Sequence, residues 1–527
     1  MALESIDKES LLLVLGFLPP RDIPSVTLIN RYFRDFVREH GSIVWTATLK
    51  NIFGVELDRC GTLTHQWSGA FPNLLDSRVP ERDLALIFHG ICLKYGSVGF
   101  RMIRIWDGIY TWALKHAPPL KETLLPGVPQ ESLDKCDQMV KRQSRGLYGM
   151  PLELASMYAL CGGQSFARLK TPSGDPFEFQ GMEDEFPEGL QLEFSDAPGC
   201  VQLQGLFGGM KVYHDEFSLA LIPFETMVYC SIFRQLSKIS FLIAINLYGV
   251  RYKHMYLERS TGQLQFDPKP GMSQGIDCIA HSRRLYAPGK PLPPWYVPPE
   301  DQIKLIPPHY PETEHRVQEM GYKTYPVVSM IHWFESYMME LRRGNFQYKY
   351  VPDLGERIIW KFPALPPECS EVITHGISVK ASCVLVPHAV QNPSLGLVWA
   401  YNIQFKLLSI EEQVNMYGLS VLEEFGGPLE TVKLQERHWN ISSANGVEEV
   451  HGEGVIGEFP ILHQGGEPYD YSSYTSIITQ VHYTHQDVSI DGIMEGYFTF
   501  EEVAQGRCRH IQAICPRMHL QFPDILF

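Results

Sequence analysis

The chain contains no C-x-x-C pair, no G-x-x-x-x-G-K-[ST] and no H-E-x-x-H. The usual short signatures of zinc ribbons, P-loop nucleotide enzymes and zinc proteases are therefore missing. Long apolar runs are missing too: LLLVLGFL, from Leu11 to Leu18, falls far short of the roughly 20 residues that cross a bilayer. Glu4, Asp7, Lys8 and Glu9 precede it in place of a basic leader region, so the expectation is an intracellular protein of cytoplasm and/or nucleus with no membrane contact. Eleven scattered cysteines, an odd number, do not read as a disulfide framework. Cys508 and Cys515 lack a matching second pair, and His482 and His485 in VHYTH read as a polar loop, so no metal ligand and no cofactor is expected.

Cationic residues are sparse where it matters most. From Glu368 to the end there are 20 Asp and Glu against 7 Lys and Arg, a large share of the overall charge of -15. Such a surface repels phosphate backbones, which argues against nucleic acid as a partner and for a protein with a basic face. A merely soluble acidic domain is the alternative. With 44% hydrophobic and 20% charged residues, 527 residues suffice for about three globular domains.

At the N-terminus, Leu11, Val14, Leu15 and Leu18 recur at helical spacing until Pro19 and Pro20 stop the pattern. A second helix restarts at Asp22, placing Val26, Ile29, Phe33, Phe36 and Val37 on one face, so the expectation is a helical hairpin. The order Leu18-Pro19, Asp22-Ile23, Val26, Ile29-Asn30-Arg31, Phe33 and Trp45 resembles an F-box over residues 1–55. Ile29-Asn30 replaces the usual valine-cysteine, and Phe33 the usual tryptophan. In that family the partner is Skp1, and the resemblance would set Leu15, Leu18, Pro19, Ile23, Val26, Ile29, Phe33 and Trp45 against it. A fifty-residue hairpin has little core of its own, which suits an apolar groove for a partner helix. A hairpin docked on its own protein is the alternative.

Residues 81–267 mix helical stretches, ERDLALIFHGICLKYG and RIWDGIYTWALKHA, with strand-like VQLQGLFGGMKVYH and ISFLIAINLYG, and predict an α/β domain. Leu133, Val140, Pro151, Leu154, Tyr158, Gly162 and Gly163 match the opening of the SMI1/KNR4 (SUKH) family, with methionine before the proline and Cys161 where asparagine is common. The resemblance implies a binding module. Nine prolines between Tyr286 and Pro311 predict a semi-rigid spacer over 286–311. A helix over 324–346 follows, its stripe of Met330, Trp333, Phe334, Tyr337, Met338 and Leu341 expected to pack on a neighbouring domain.

After WKFPALPPEC the pattern becomes short alternating strands separated by glycine turns, which predicts a β-sandwich with no strong helix inside it. Gly452, Gly454 and Gly457 spell G-x-G-x-x-G there, but the following FPILHQGGEPYDY cannot open a helix to hold a pyrophosphate. No Lys or Arg occurs from His451 to Phe500, so the glycines are expected to serve tight turns. THGISV, ERHWNI, NGVEEVHGEGVIGEFP, PYDYSS and GIMEGYFTF resemble the ApaG (DUF525) domain over 366–523, whose fold is a fibronectin-III-like sandwich. EEQVNMYGLSVLEEFGGPLE is an insertion in one of its loops.

Together the expectations describe a multidomain α+β chain: a helical F-box, a central α/β SMI1/KNR4-like domain and an all-β ApaG sandwich. That order resembles the F-box only protein 3 type and its plant relatives. The resemblance implies a non-enzymatic substrate receptor of an SCF-type ubiquitin ligase, bound through Skp1 to cullin and RING subunits. Glu448, Glu449, Glu453 and Glu458 are the candidate target-binding residues on charge alone. The alternatives are a Skp1-binding module outside a cullin ligase, and an enzyme binding phosphate compounds through the ApaG domain.

Overall fold

The computed structural model describes residues 8–27, 31–55, 67, 81–146, 149–165, 167–170, 173, 191–194, 205–212, 215–233, 240–246, 254–258, 264–267, 330–351, 356–386, 397–443, 446–477, 492–503 and 509–520. The proline-rich spacer and the VHYTH histidines lie outside these. Among the described residues no helix is long and apolar enough to cross a membrane. The architecture is multidomain α+β: N-terminal helices, a central mixed α/β unit and a C-terminal pair of antiparallel sheets.

Three helices, rather than the two of the expected hairpin, form the N-terminal unit: α1 (Lys8–Gly16), α2 (Asp22–Thr27) and α3 (Arg31–Phe53). Pro19 ends the first by receiving the Asp22 amide at 2.8 Å and turning the chain. α3 continues through Trp45 because a kink at His40, next to Gly41, lets the helix bend without stopping. Leu11 and Leu15 pack with Val44, Trp45, Leu49 and Phe53 in its core.

α4 (Glu81–His116) carries both helical stretches expected from 81 onward, joined at Gly96, where a φ of 60° breaks the helix without a side-chain penalty. Phe53 of α3 meets Phe88 of α4 edge-on at 5.6 Å, so the N-terminal unit shares a core with the central one. Trp67 is fully buried against Phe88 and donates its indole N–H to Asp107 at 3.0 Å. Beyond α5 (Pro118–Glu122), α6 (Gln130–Gln143) and α7 (Leu152–Leu160) bury Leu133, Val140, Leu154 and Tyr158. The Tyr158 hydroxyl donates to the Ile222 carbonyl at 3.0 Å. Gly162 and Gly163 pass so close to Pro126 and Ile222 that any side chain would collide with backbone oxygens.

The strands β1 (Ala167–Lys170) and β2 (Gln191–Phe194) pair with each other. A seven-stranded sheet is built from β3 (Gly209–Val212), β4 (Asp215–Leu221), β5 (Ser240–Asn246), β6 (His254–Glu258), β7 (Leu264–Asp267), β8 (Gln347–Val351) and β9 (Glu356–Trp360) in the order β7-β6-β5-β4-β3-β9-β8. A short helix, α8 (Phe224–Val228), lies between β4 and β5. The central sheet thus extends beyond residue 267, taking in two strands from after the proline-rich segment. α9 (Met330–Arg343) returns with them. Its stripe of Trp333, Phe334 and Tyr337 surrounds Phe207 at 5.3–5.9 Å, and the Tyr337 hydroxyl donates to the Leu206 carbonyl at 2.7 Å. Arg101 of α4 clamps Glu335 through two bonds of 2.7 and 2.6 Å.

The C-terminal unit is a sandwich. One sheet runs β10 (Cys369–Thr374), β11 (Ile377–Leu385), β12 (Leu397–Leu407) and β16 (Tyr469–Ile477). The other runs β14 (Gly446–Glu453), β13 (Thr431–Ser443), β17 (Gly492–Glu502) and β18 (His510–Leu520), with β15 (Ile461–His463) added to β13. Phe405 of the first sheet meets Phe498 of the second at 4.6 Å, and Tyr401 meets Trp439 at 5.6 Å. Contrary to the expected absence of helix, α10 (Ile410–Tyr417) and α11 (Leu419–Glu424) occupy the insertion. Ser409 and Glu412 form a reciprocal capping box at the start of α10. Gln413 then plugs the loop into the sandwich, donating to Leu408 and Leu429 carbonyls and accepting the Leu429 amide.

Burial, with the nearby Arg101 charge adding to it, pulls the His332 imidazole of α9 down to about 3. The unfolded chain takes up that proton first as pH falls, so the stability associated with neutral His332 is present above about pH 6.5 and drains away between there and pH 3. His332→Gln should remove about 2 kcal/mol of the stability loss seen between pH 7 and 4.5, measured by urea unfolding at each pH.

Candidate interaction sites

At the N-terminal unit, helical spacing and burial separate the apolar residues into two sets. Leu15, Ile23 and Trp45 are buried and hold the three helices together, so they do not present a free face as the sequence reading supposed. Leu18 and Pro19 are half-buried at the α1 terminus. Val14 and Phe17, which are not in the expected Skp1-facing set, are 55% and 59% exposed beside them. The Ile29 position and the side chains of Val26 and Phe33 lie outside the described residues. Val14 and Phe17 stand three apart at the C-terminal end of α1, outside the core that Leu11 and Leu15 join.

In the sandwich, β14 runs antiparallel to β13 and leads into the glycine motif. Each glycine answers a separate geometric demand. Gly452 lies under the Arg437 guanidinium, where a Cβ would sit 2.8 Å from Cζ. Gly454 has a φ of 56° and approaches the Glu458 carbonyl so closely that a Cβ would be 2.2 Å from its oxygen. Gly457, at φ 78°, follows Ile456 at φ 52°, the two positive-φ centres of a type I′ hairpin turn closed by Val455 and Glu458. The turn has few donors to offer an anion. The Gly454 amide donates to Gln435 at 2.8 Å, while the Val455 and Glu458 amides donate to each other's carbonyls at 2.9 Å.

Folding supplies cations that the local sequence lacks: Lys433 lies over the Phe459 ring at 5.6 Å, and Arg437 is spent internally. Arg437 donates to the carbonyls of Gly454 at 2.7 Å and Glu453 at 3.1 Å. Along the hairpin, Glu448, Glu449, Glu453 and Glu458 are all exposed, and Glu458 accepts the Tyr469 hydroxyl at 2.5 Å. Ile456, Phe459 and Ile461 project into solvent among these acids. The hairpin is an acidic rim with an apolar tip.

The outward face of the same sheet brings together residues distant in sequence. His438 of β13 and His451 of β14 are directly opposed, their rings 4.2 Å apart, and Tyr497 of β17 stacks on His438 at 4.7 Å. Glu449 reaches to 3.9 Å from His451 Nε2.

The ApaG domain family matches residues 390–502. Protein ApaG of Rhodospirillum centenum is 33% identical over 108 residues, covering 20% of this chain and 68% of that protein. The chain belongs to the ApaG-domain family. F-box protein SKIP16 of Arabidopsis thaliana is 23% identical over 435 residues, 80% of this chain and 79% of its own length. F-box only protein 3 of Homo sapiens is 29% identical over 201 residues, 36% of this chain and a 33% share of that protein. The ApaG domain thus sits at the C-terminus of a chain with F-box protein homologues across much of its length. None of these relatives carries the name of an enzyme.

Two substitutions test the ApaG-domain hairpin. Gly454→Ala should destabilise the protein by about 2 kcal/mol through positive φ and collision with Glu458. Ile456→Asn should stabilise it by about 1 kcal/mol, since asparagine tolerates the left-handed region that a β-branched side chain resists. Thermal unfolding of the two variants reads both, and opposite signs are expected.

Proposed function

We propose that this protein is an F-box-type substrate adaptor: its N-terminal helices bind Skp1, and its ApaG and central units hold a target protein for an SCF-type ubiquitin ligase. The observation that carries the reading is the pair of exposed apolar side chains, Val14 and Phe17, flanking Leu18-Pro19 on a helical unit whose own core is already closed. Relatives named as F-box proteins support the same reading. Chemistry is left to the ligase. A receptor only raises the local concentration of target near a partner's reactive group. In this reading Skp1 connects the chain to cullin and RING subunits in cytoplasm and/or nucleus, and the central unit is a SMI1/KNR4-like binding module.

A Skp1-binding module outside a cullin complex differs only in whether cullin accompanies Skp1. The phosphate-compound enzyme is disfavoured by the hairpin, whose amides and Arg437 are engaged within the turn. Affinity purification of the intact chain beside Val14→Asp, Phe17→Asp separates these readings. Skp1 and cullin are expected with the intact chain only, with Skp1 affinity falling at least about tenfold in the variant. Skp1 without cullin would favour the second reading, and equal recovery from both forms would remove the adaptor claim.

The exposed acids of the hairpin make a second expectation. Once a target is identified, raising salt from 50 to 500 mM should weaken its binding several-fold, and Glu453→Gln with Glu458→Gln should flatten that dependence. Surface plasmon resonance at stepped ionic strength checks it. A flat wild-type response would move target binding off this edge.

A further inference from the structure

We propose that His438, His451 and Glu449 form a site for a divalent transition-metal ion of the zinc type on the outer face of the ApaG sandwich. Among the described residues, this is the one group of three or more His, Cys, Asp or Glu side chains placed to share an ion, with one donor atom from each lying within 4.8 Å of the others. The register of β13 and β14 creates it. His438 and His451 are cross-strand partners, and Glu449 is two residues before His451, hence on the same face.

The donor set selects the metal. Two imidazoles and one carboxylate suit zinc and its neighbours, whereas calcium and magnesium take oxygen donors, and no thiolate is present to favour copper(I). Donors around a tetrahedral zinc ion stand about 3.3 Å apart, given bonds of about 2.0–2.1 Å. Closing from 4.8 Å falls to the mobile members: the side chains of His451 and Glu449 are 65% and 67% exposed. His438 is held by its stack on Tyr497 and serves as the fixed member.

Two further features point to a ligand. His438 Nδ1 is buried without a hydrogen-bond partner, as is Oδ1 of Asn440, the residue opposite Glu449 on β13. Buried acceptors are normally satisfied, and an ion or its bound water would satisfy them here. Three protein donors also leave a coordination position open. The inference does not depend on Skp1 binding or on a ligase role.

Chelator-stripped full-length protein titrated with ZnCl2 by calorimetry tests the site, with cobalt(II) absorption reporting coordination. One equivalent should bind, and His451→Gln and Glu449→Gln should each weaken binding at least about 30-fold while leaving the melting temperature of the metal-free protein unchanged. His451 and Glu449 are exposed, so these variants will fold. Cobalt spectra of the His451→Gln form should lose the intense visible bands of a four-coordinate site. Absence of zinc binding at 100 μM, or binding unaltered in both variants, would overturn the proposal.

Discussion

Burial of the apolar residues of α4 is the constraint from which the rest of the structure follows. Its apolar residues run from Leu84 to Ala113 without a solvent stripe wide enough to stand alone, so each neighbour is obligatory. α3 covers it at Phe88, α7 packs against it where the Tyr110 hydroxyl donates to the Leu160 carbonyl, and α9 meets it where Gly108 admits Met338. Asp107 carries a carboxylate into this core, and the Trp67 indole compensates it there. One consequence is mechanical. The N-terminal helices are joined to the central unit through packed aromatics, not a tether, so a partner seated on Val14 and Phe17 is held at a set distance from the central sheet.

The same constraint explains why a segment beyond residue 329 belongs to the central unit. α9 brings three large aromatics to Phe207, and these could not be left exposed. Its Arg101–Glu335 clamp orients the helix, and β8 and β9 then extend the sheet beside β3. Local sequence could show that the stripe on α9 seeks a surface, since Trp333 and Tyr337 are four apart. It could not show which surface, because parallel pairing of Gly209 with Trp360 joins residues about 150 positions apart.

Legibility followed sequence distance in the sandwich as well. Alternating strands and glycine turns were readable because period two and positive φ are local properties. The inserted helix α10 was equally local: S-x-x-E at Ser409–Glu412 is a capping box written in four consecutive residues, and the strand rhythm around it obscured the signal. Arg437 over Gly452 and the His438–His451 pair were not readable, since both arise from one choice of register between β13 and β14. A shift of one residue would turn every one of these side chains to the other face. At the N-terminus the helices were visible, yet which apolar side chains face inward depended on the third helix, α3.

The edge formed by β14 bears on what the acidic hairpin is for. An edge strand offers unpaired backbone groups to any passing strand, and exposed charge is a common defence against such pairing. Glu448, Glu449 and Glu453 on β14 would serve that purpose without any partner. Defence does not account for Val447, 67% exposed at one end of β14, nor for Ile456, Phe459 and Ile461 past its other end, which add apolar surface where an edge strand should avoid it. Nor does it account for isoleucine at a turn centre that prefers asparagine or glycine. Strain and exposure at the same residue, Ile456, fit selection for contact better than selection for stability. The charges then limit which partners approach, and the apolar tip supplies what an accepted partner buries.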